Sequence, residues 1–245
     1  KRIGSDRRDK ISTVLDLNCT DIDIDNIIKK RFNLATRDSG VKEKKDIEIF
    51  FKEPEIELPG KAGIKRNWFS WFVKQSRNRP RDAVQLVSKI LECAYQKNRN
   101  TITTDIAQSI LIDFSKSRLE NAASEYYNIC NAVEFIVKKI DKTRYTYNEA
   151  IEFFKKIPSM RSISYEGNII QPSNNDDAIK LLHVLHMANI MNPRYKDENA
   201  SDGYGHFLYS GNEDLVTPEN AGILSQYVFE VHPVFHSLIK ESKIS

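Results

Sequence analysis

No stretch of this 245-residue chain approaches the ~20 consecutive apolar residues of a membrane-spanning helix. Nothing at its start reads as a secretory leader. No membrane partner is expected, and the expected location is the cytoplasm. Cysteine is scarce: Cys19, Cys93 and Cys130 are odd in number and widely spaced. That suits free thiols in a reducing compartment better than a disulfide framework. Glycine is scarce too, with nine scattered residues and no Gly-x-x-x-x-Gly-Lys-Ser/Thr among them. A phosphate cradle needs consecutive backbone amides and a lysine that reaches the terminal phosphates. Without one, the chain is not expected to hydrolyse ATP alone. The formal net charge is only +3, so a nucleic-acid contact would have to rest on a local patch. No Ser/His/Asp or Cys/His arrangement stands out, and no catalytic residue is assigned.

What is present is ordinary globular composition, 40% hydrophobic and 29% charged with a mean hydropathy of -0.51. It suits one large domain or two small ones. The first residue is Lys1 rather than Met, and a fragment of a longer chain is expected. One stretch concentrates charge of one sign. Between Lys61 and Arg81 there are seven cations and no acid: Lys61, Lys65, Arg66, Lys74, Arg77, Arg79 and Arg81. The run Trp68-Phe69-Ser70-Trp71-Phe72 lies inside it. Pro80 then opens an amphipathic pattern, and proline is at home in the first turn of a helix. The free amides and partial positive charge of that turn, with three arginines around it, favour an anion.

Hydrophobic spacing orders the rest. Residues 21–32 read as a helix that Asp23 or Asp25 can cap. Residues 33–45 read as a loop, 46–51 as a short strand or a helix turn, and 54–63 as a breaker segment. Lys65–Gln75 and Pro80–Gln96 read as helices, then one capped by Thr103 or Thr104, then one over 117–140. Thr146-x-x-Glu149 is a capping box. Residues 158–175 read as an irregular insertion. Asp176 or Asp177 opens an apolar helix that Pro193 stops. Two period-two segments, 205–210 and 226–231, read as a hairpin, and 234–240 as a short closing helix. The expected fold is mainly α: a helical lid-like bundle over residues 1–120, then a winged-helix-like α+β domain with a small β-hairpin over 121–245.

Arg79-Pro80-Arg81-Asp82, Thr101-Ile102-Thr103-Thr104-Asp105-Ile106 and the tail ending in Val231-His232-Pro233, in that order, resemble the C-terminal half of bacterial P-loop ATPases of the AAA+ and STAND type. These act in DNA repair or defence. The resemblance covers roughly residue 6 onward. It implies a helical lid and a winged helix that follow a nucleotide-binding core, which this chain lacks. It also implies that Arg81 senses the terminal phosphate, with Arg77 and Arg79 as accessories. ATP and Mg would be held by the missing core. Partners would be that core and, through oligomerisation, further copies.

Plainer readings stand beside these. Arg81 can pair with Asp82 or Glu92, or stack on Trp68 or Trp71. The four rings of 68–72 cannot all face one way on a helix, so core packing with at least one ring toward a neighbour is expected. Stacking on single-stranded bases is the alternative. Nucleic acid or a partner would be met by Lys61, Lys65, Arg66, Trp68, Trp71 and Lys74, or by the basic arm Lys1–Lys10. The wing is unsuited to duplex DNA: residues 194–231 hold two cations, Arg194 and Lys196, against seven acids. Phosphate neutralisation needs the opposite balance. A protein partner is expected there instead. His183 with His186, and His232 with His236, have helical spacing for a metal but no companion ligands, so no metal site is assigned. The other function classes are a free-standing winged-helix DNA-binding protein and an interaction adaptor without nucleotide.

Overall fold

The computed structural model describes residues 19–38, 50–58, 63–77, 79–196, 204–207 and 214–241. Helix α1 (Asp21–Asp38) starts at a reciprocal cap. Thr20 Oγ1 accepts from the Asp23 amide, and the Asp23 carboxylate accepts from the Thr20 amide at 2.9 Å. The cap is therefore Thr20, with Asp23 closing back on it. Strands β1 (Glu55–Glu57) and β2 (Lys65–Asn67) form an antiparallel ladder. β2 takes the first three residues expected to be helical. Asn67 then accepts from the amides of Phe69 and Ser70, and α2 (Trp68–Gln75) begins there.

Helix α3 (Pro80–Gln96) has the expected bounds. Helix α4 (Thr104–Glu125) runs 22 residues and crosses the expected 120/121 boundary. The chain then breaks, and α5 (Val133–Lys139) is short. The single helix expected over 117–140 is thus two. β3 (Arg144–Thr146) leads into α6 (Tyr147–Lys156), whose capping box is formed by Thr146 and Glu149. The insertion after α6 holds a tight hairpin, β4 (Ser164–Tyr165) and β5 (Asn168–Ile169). Its turn residues Glu166 and Gly167 have φ of 48° and 79°, as a two-residue turn of this hand requires.

Helix α7 (Asn175–Met187) is capped by Asn174, whose side chain accepts from the Asp177 amide. Strand β6 (Met191–Lys196) follows at once. It contains Pro193, which as a local signal only stops a helix. Val231 donates its amide to Thr143, away from β6, so Met191 faces it as a non-hydrogen-bonded pair. Alternation puts Pro193, opposite Phe229, in the same class. The missing N–H thus costs no bond to that neighbour.

β7 (Tyr204–Phe207) pairs with β6, while α8 (Ala221–Leu224), β8 (Tyr227–Val231) and α9 (His236–Glu241) complete the chain. The four-stranded sheet is ordered β3-β8-β6-β7, all antiparallel. The hairpin partner of β8 is β6, not the 205–210 segment. Strand, helix, helix, strand, strand, with the first strand beside the last, is winged-helix topology. The fold is mainly helical with small antiparallel sheets.

Two parts of the core matter for the surface. Phe32, Phe51, Trp68, Phe69, Trp71 and Phe72 are all buried and pack ring against ring. No ring of the 68–72 run faces outward. The C-terminal end then returns to the helical half. Ser115 on α4 donates toward Val234, and α9 packs on α4.

Candidate functional site

The sequence puts three arginines around the start of α3, and convergence on one anion is the expectation. The fold gives them three different surroundings. Arg77 is 2% exposed, with a backbone φ of 53°. Its Nε and Nη2 donate to Asp82 Oδ2 at 3.1 and 2.9 Å, and Nη1 donates to the Ala188 carbonyl at 3.3 Å. The guanidinium lies 5.7 Å from the Phe235 ring centre. On the other side of Asp82, Arg118 Nη1 donates to Oδ1 at 2.5 Å. One buried carboxylate therefore holds two buried guanidiniums, one from the loop before α3 and one from α4.

This triad continues into the winged-helix half. Asn189 Nδ2 donates to the Arg77 carbonyl at 3.0 Å. Asn192 Nδ2 donates to Asn189 Oδ1, and Asn192 Oδ1 lies 3.0 Å from His186 Nδ1. Asn192 already donates through its nitrogen, so its oxygen is the acceptor and His186 Nδ1 carries the proton. The result is a continuous buried polar chain from His186 through Asn192, Asn189, Arg77 and Asp82 to Arg118. It crosses from α7 and β6 to α3 and α4. Asn189 has a φ of 51°, a conformation asparagine tolerates better than most residues.

Arg79 lies nearer the surface, and both its terminal nitrogens donate to Glu125, at 2.7 and 3.1 Å. That contact holds its guanidinium above the ordinary arginine range. Arg81 is exposed and has no hydrogen bond or ion pair among the described residues. It cannot borrow Asp82, whose carboxylate is committed to Arg77 and Arg118.

The remaining expected contact residues are scattered. Trp68 and Trp71 are 1% and 0% exposed, so neither indole is open to a base. Trp68 Nε1 donates to the Glu53 carbonyl at 2.9 Å, while Trp71 Nε1 has no acceptor among the described residues. Lys65 and Lys74 are exposed, and Arg66 is half-buried. Lys61 and the Lys1–Lys10 arm lie outside the described residues. Burial lowers the Lys74 ammonium below its ordinary range, and Arg66 and Arg194 push it the same way, against Asp21 and Glu230. Sequence reasoning missed that Arg194 comes near Lys74. No local signal could have found it, because 120 residues separate them. Arg194 and Arg144 both pair with Glu230, at 2.8 and 3.0 Å.

All four histidines of the spaced pairs serve the fold. His183 Nδ1 lies 2.7 Å from the Tyr165 hydroxyl, and His236 Nε2 2.7 Å from the Val231 carbonyl. His232 accepts from the Val234 amide and so starts the last helical turns. Among the described residues no three of His, Cys, Asp and Glu come together to hold a metal. All three cysteines are free. No helix among the described residues is long and apolar enough to cross a membrane.

His232 gives a measurable consequence. Burial, and then the charges of Arg77, His236 and Lys74, hold its imidazole neutral well below the ordinary range. An unfolded histidine titrates near pH ~6.5. Below that pH the unfolded chain gains a proton that the folded chain refuses. Stability is therefore full above pH ~6.5 and falls as pH drops, by up to ~1.4 kcal/mol per unit. His232→Asn keeps an oxygen for the Val234 amide but removes the titration. Urea denaturation at two pH values, about 7.5 and 5.5, should show the parent losing about 1 kcal/mol more than the variant. Equal losses would mean that another group carries the slope.

Residues 23–123, less than half of the chain, match the family model described as "FunZ-associated C-terminal helical domain". The match runs from α1 to nearly the end of α4, so it includes the aromatic core, Arg77, Asp82 and Arg118. No curated protein and no solved structure matches the chain. The helical half is thus similar to a FunZ-associated C-terminal helical domain.

Proposed function

We propose that this chain is a non-catalytic coupling part of a larger P-loop ATPase of the bacterial defence or DNA-repair type. In this reading Arg81 meets a nucleotide phosphate held, with Mg, by another domain, and the winged-helix half makes protein contacts. The observation that carries the reading is the difference among the three arginines. Arg77 and Arg79 are spent on Asp82 and Glu125, while Arg81 is exposed and unpaired among the described residues. The buried chain from His186 to Arg118 supports the coupling. In this reading a push on α3 is passed to β6 through buried hydrogen-bonded groups, which cannot part without leaving polar groups unsatisfied. The matched family supports only the coarser part of this reading, since its description is of a C-terminal domain, which implies a larger protein.

The test uses the full-length protein. Arg81→Ala should weaken ATP binding or turnover about tenfold, the worth of one charge-assisted contact. Arg81→Lys should recover little, because lysine cannot make the planar two-point contact. Unchanged affinity and turnover would overturn the sensor role. A longer reading frame without a phosphate loop would remove the ATPase parent.

A second reading has one observation in its favour. Lys74 is held below its ordinary range first by burial and then by Arg66 and Arg194, only partly offset by Asp21 and Glu230, and a bound polyanion would favour its charged form. Single-stranded nucleic acid at Lys65, Arg66 and Lys74 is the ligand this suggests. Duplex reading by α7 has no such support, since most of that helix is buried, including Ile179, Leu181, Leu182 and Leu185. A gel-shift titration at low and moderate salt decides, because electrostatic binding is strongest at low salt. No shift at low salt removes this reading.

A further inference from the structure

The molecule has a second distinctive surface, away from the arginines of the α3 start. Between α1 and α3 lies a cavity of about 140 Å³. Ile28 and Phe32 line it from α1, Val84, Val87 and Leu91 from α3, and Phe50 from the segment before β1. The lining positions recur every three to four residues on both helices, so the cavity is a trough between two helices. An apolar cavity near 150 Å³ takes a benzene ring, so this one takes one aromatic or branched side chain. Leu91 is 39% exposed and Tyr95, one turn further along α3, is 83% exposed. A single exposed apolar residue means little, but here two continue a line of apolar groups that leads out of a cavity.

Charge restricts what could occupy it. Among the described residues the sole charged lining residue is Arg31, which is exposed and has no ion pair, Ser88 is the one other polar lining residue, and no acid lines the trough. The nearest acid on α3, Glu92, already accepts from Gln96. An occupant with an apolar ridge alone would leave Arg31 facing it without a partner. We propose that the α1–α3 trough docks an amphipathic helix of a partner protein. One large apolar side chain of that helix enters the cavity, and an acidic residue about one turn away pairs with Arg31. This is helix-in-groove recognition. It is independent of the ATPase reading.

The probe is a synthetic, fluorescein-labelled peptide of about 15 residues, long enough to hold a helix. It carries leucine at helical spacing with glutamates beside the leucines, and a twin has lysine in place of every glutamate. Fluorescence polarisation with this chain should show saturable binding, at least about tenfold tighter for the glutamate peptide. Leu91→Arg should abolish it. Ser88→Arg, at an exposed lining position, should do the same if Leu91→Arg proves unfolded by circular dichroism. Arg31→Glu should reverse the preference toward the lysine peptide. No saturable binding, or equal binding of both peptides, would overturn the proposal. So would a Leu91-dependent dimer in sedimentation velocity, because the occupant would then be a second copy.

Discussion

Asp82→Asn is expected to destabilise the fold by about 3–5 kcal/mol, the cost of removing one partner from a buried ion pair. The carboxylate is 5% exposed and accepts from Arg77 on one oxygen and Arg118 on the other. Asparagine has nearly the same shape, so the loss is one of charge rather than volume. Two buried guanidiniums would face a neutral amide whose nitrogen cannot accept. Neither can shed its proton, since arginine stays charged in proteins. Arg118 is the worse placed of the two, because its Nε already lacks an acceptor among the described residues. The triple variant Arg77→Met, Asp82→Leu, Arg118→Met should recover most of the loss, because an apolar triad of similar volume needs no charge compensation. Recovery will be incomplete because the Ala188 carbonyl loses the Arg77 Nη1 donor, which methionine cannot replace. Urea denaturation of the three proteins checks this. A loss under about 1 kcal/mol for Asp82→Asn would show that the triad is not a structural joint.

This network also shows where sequence reading stops. Helix α3, the Thr146–Glu149 capping box and the order helix, helix, strand of the C-terminal half follow from local signals, namely proline at the first helical position, reciprocal caps and period. The fate of the arginines does not. Arg77 and Arg81 are alike in the sequence, three positions before and one after the proline that opens a helix. Arg77 is buried because Ala188, Asn189 and Phe235 arrive from more than 100 residues away. Strand β6 escapes local reading for a related reason. Pro193 looks like a stop unless its neighbour is known to sit at a non-hydrogen-bonded position. The partner of β8 escapes for the same reason: with 191–196 read as the stop of a helix, 205–210 is the period-two segment left to pair with 226–231, whereas β6 is what pairs with β8.

The aromatic run gives the second large effect, and it separates two roles that one sequence pattern allows. Trp71→Ala is expected to cost about 3–5 kcal/mol. The indole is fully buried, 5.4 Å from Phe72 and 6.1 Å from Trp68, ring centre to ring centre. Alanine would leave a cavity walled by aromatic rings, which cannot collapse to fill it. Trp71→Phe should cost much less, under about 2 kcal/mol, because it keeps a ring and removes an N–H that has no acceptor among the described residues. A surface ring that stacks a base behaves in the opposite way. Its removal leaves stability within ~0.5 kcal/mol and weakens single-strand binding by ~1–3 kcal/mol. Urea denaturation of Trp71→Ala and Trp71→Phe therefore tests the burial directly. If the run is core, any nucleic-acid affinity of this face comes from Lys65, Arg66 and Lys74 alone. It should then be wholly electrostatic. Lys74→Ala should flatten the logarithmic salt dependence by ~0.7, the slope that one neutralised phosphate carries on a single strand.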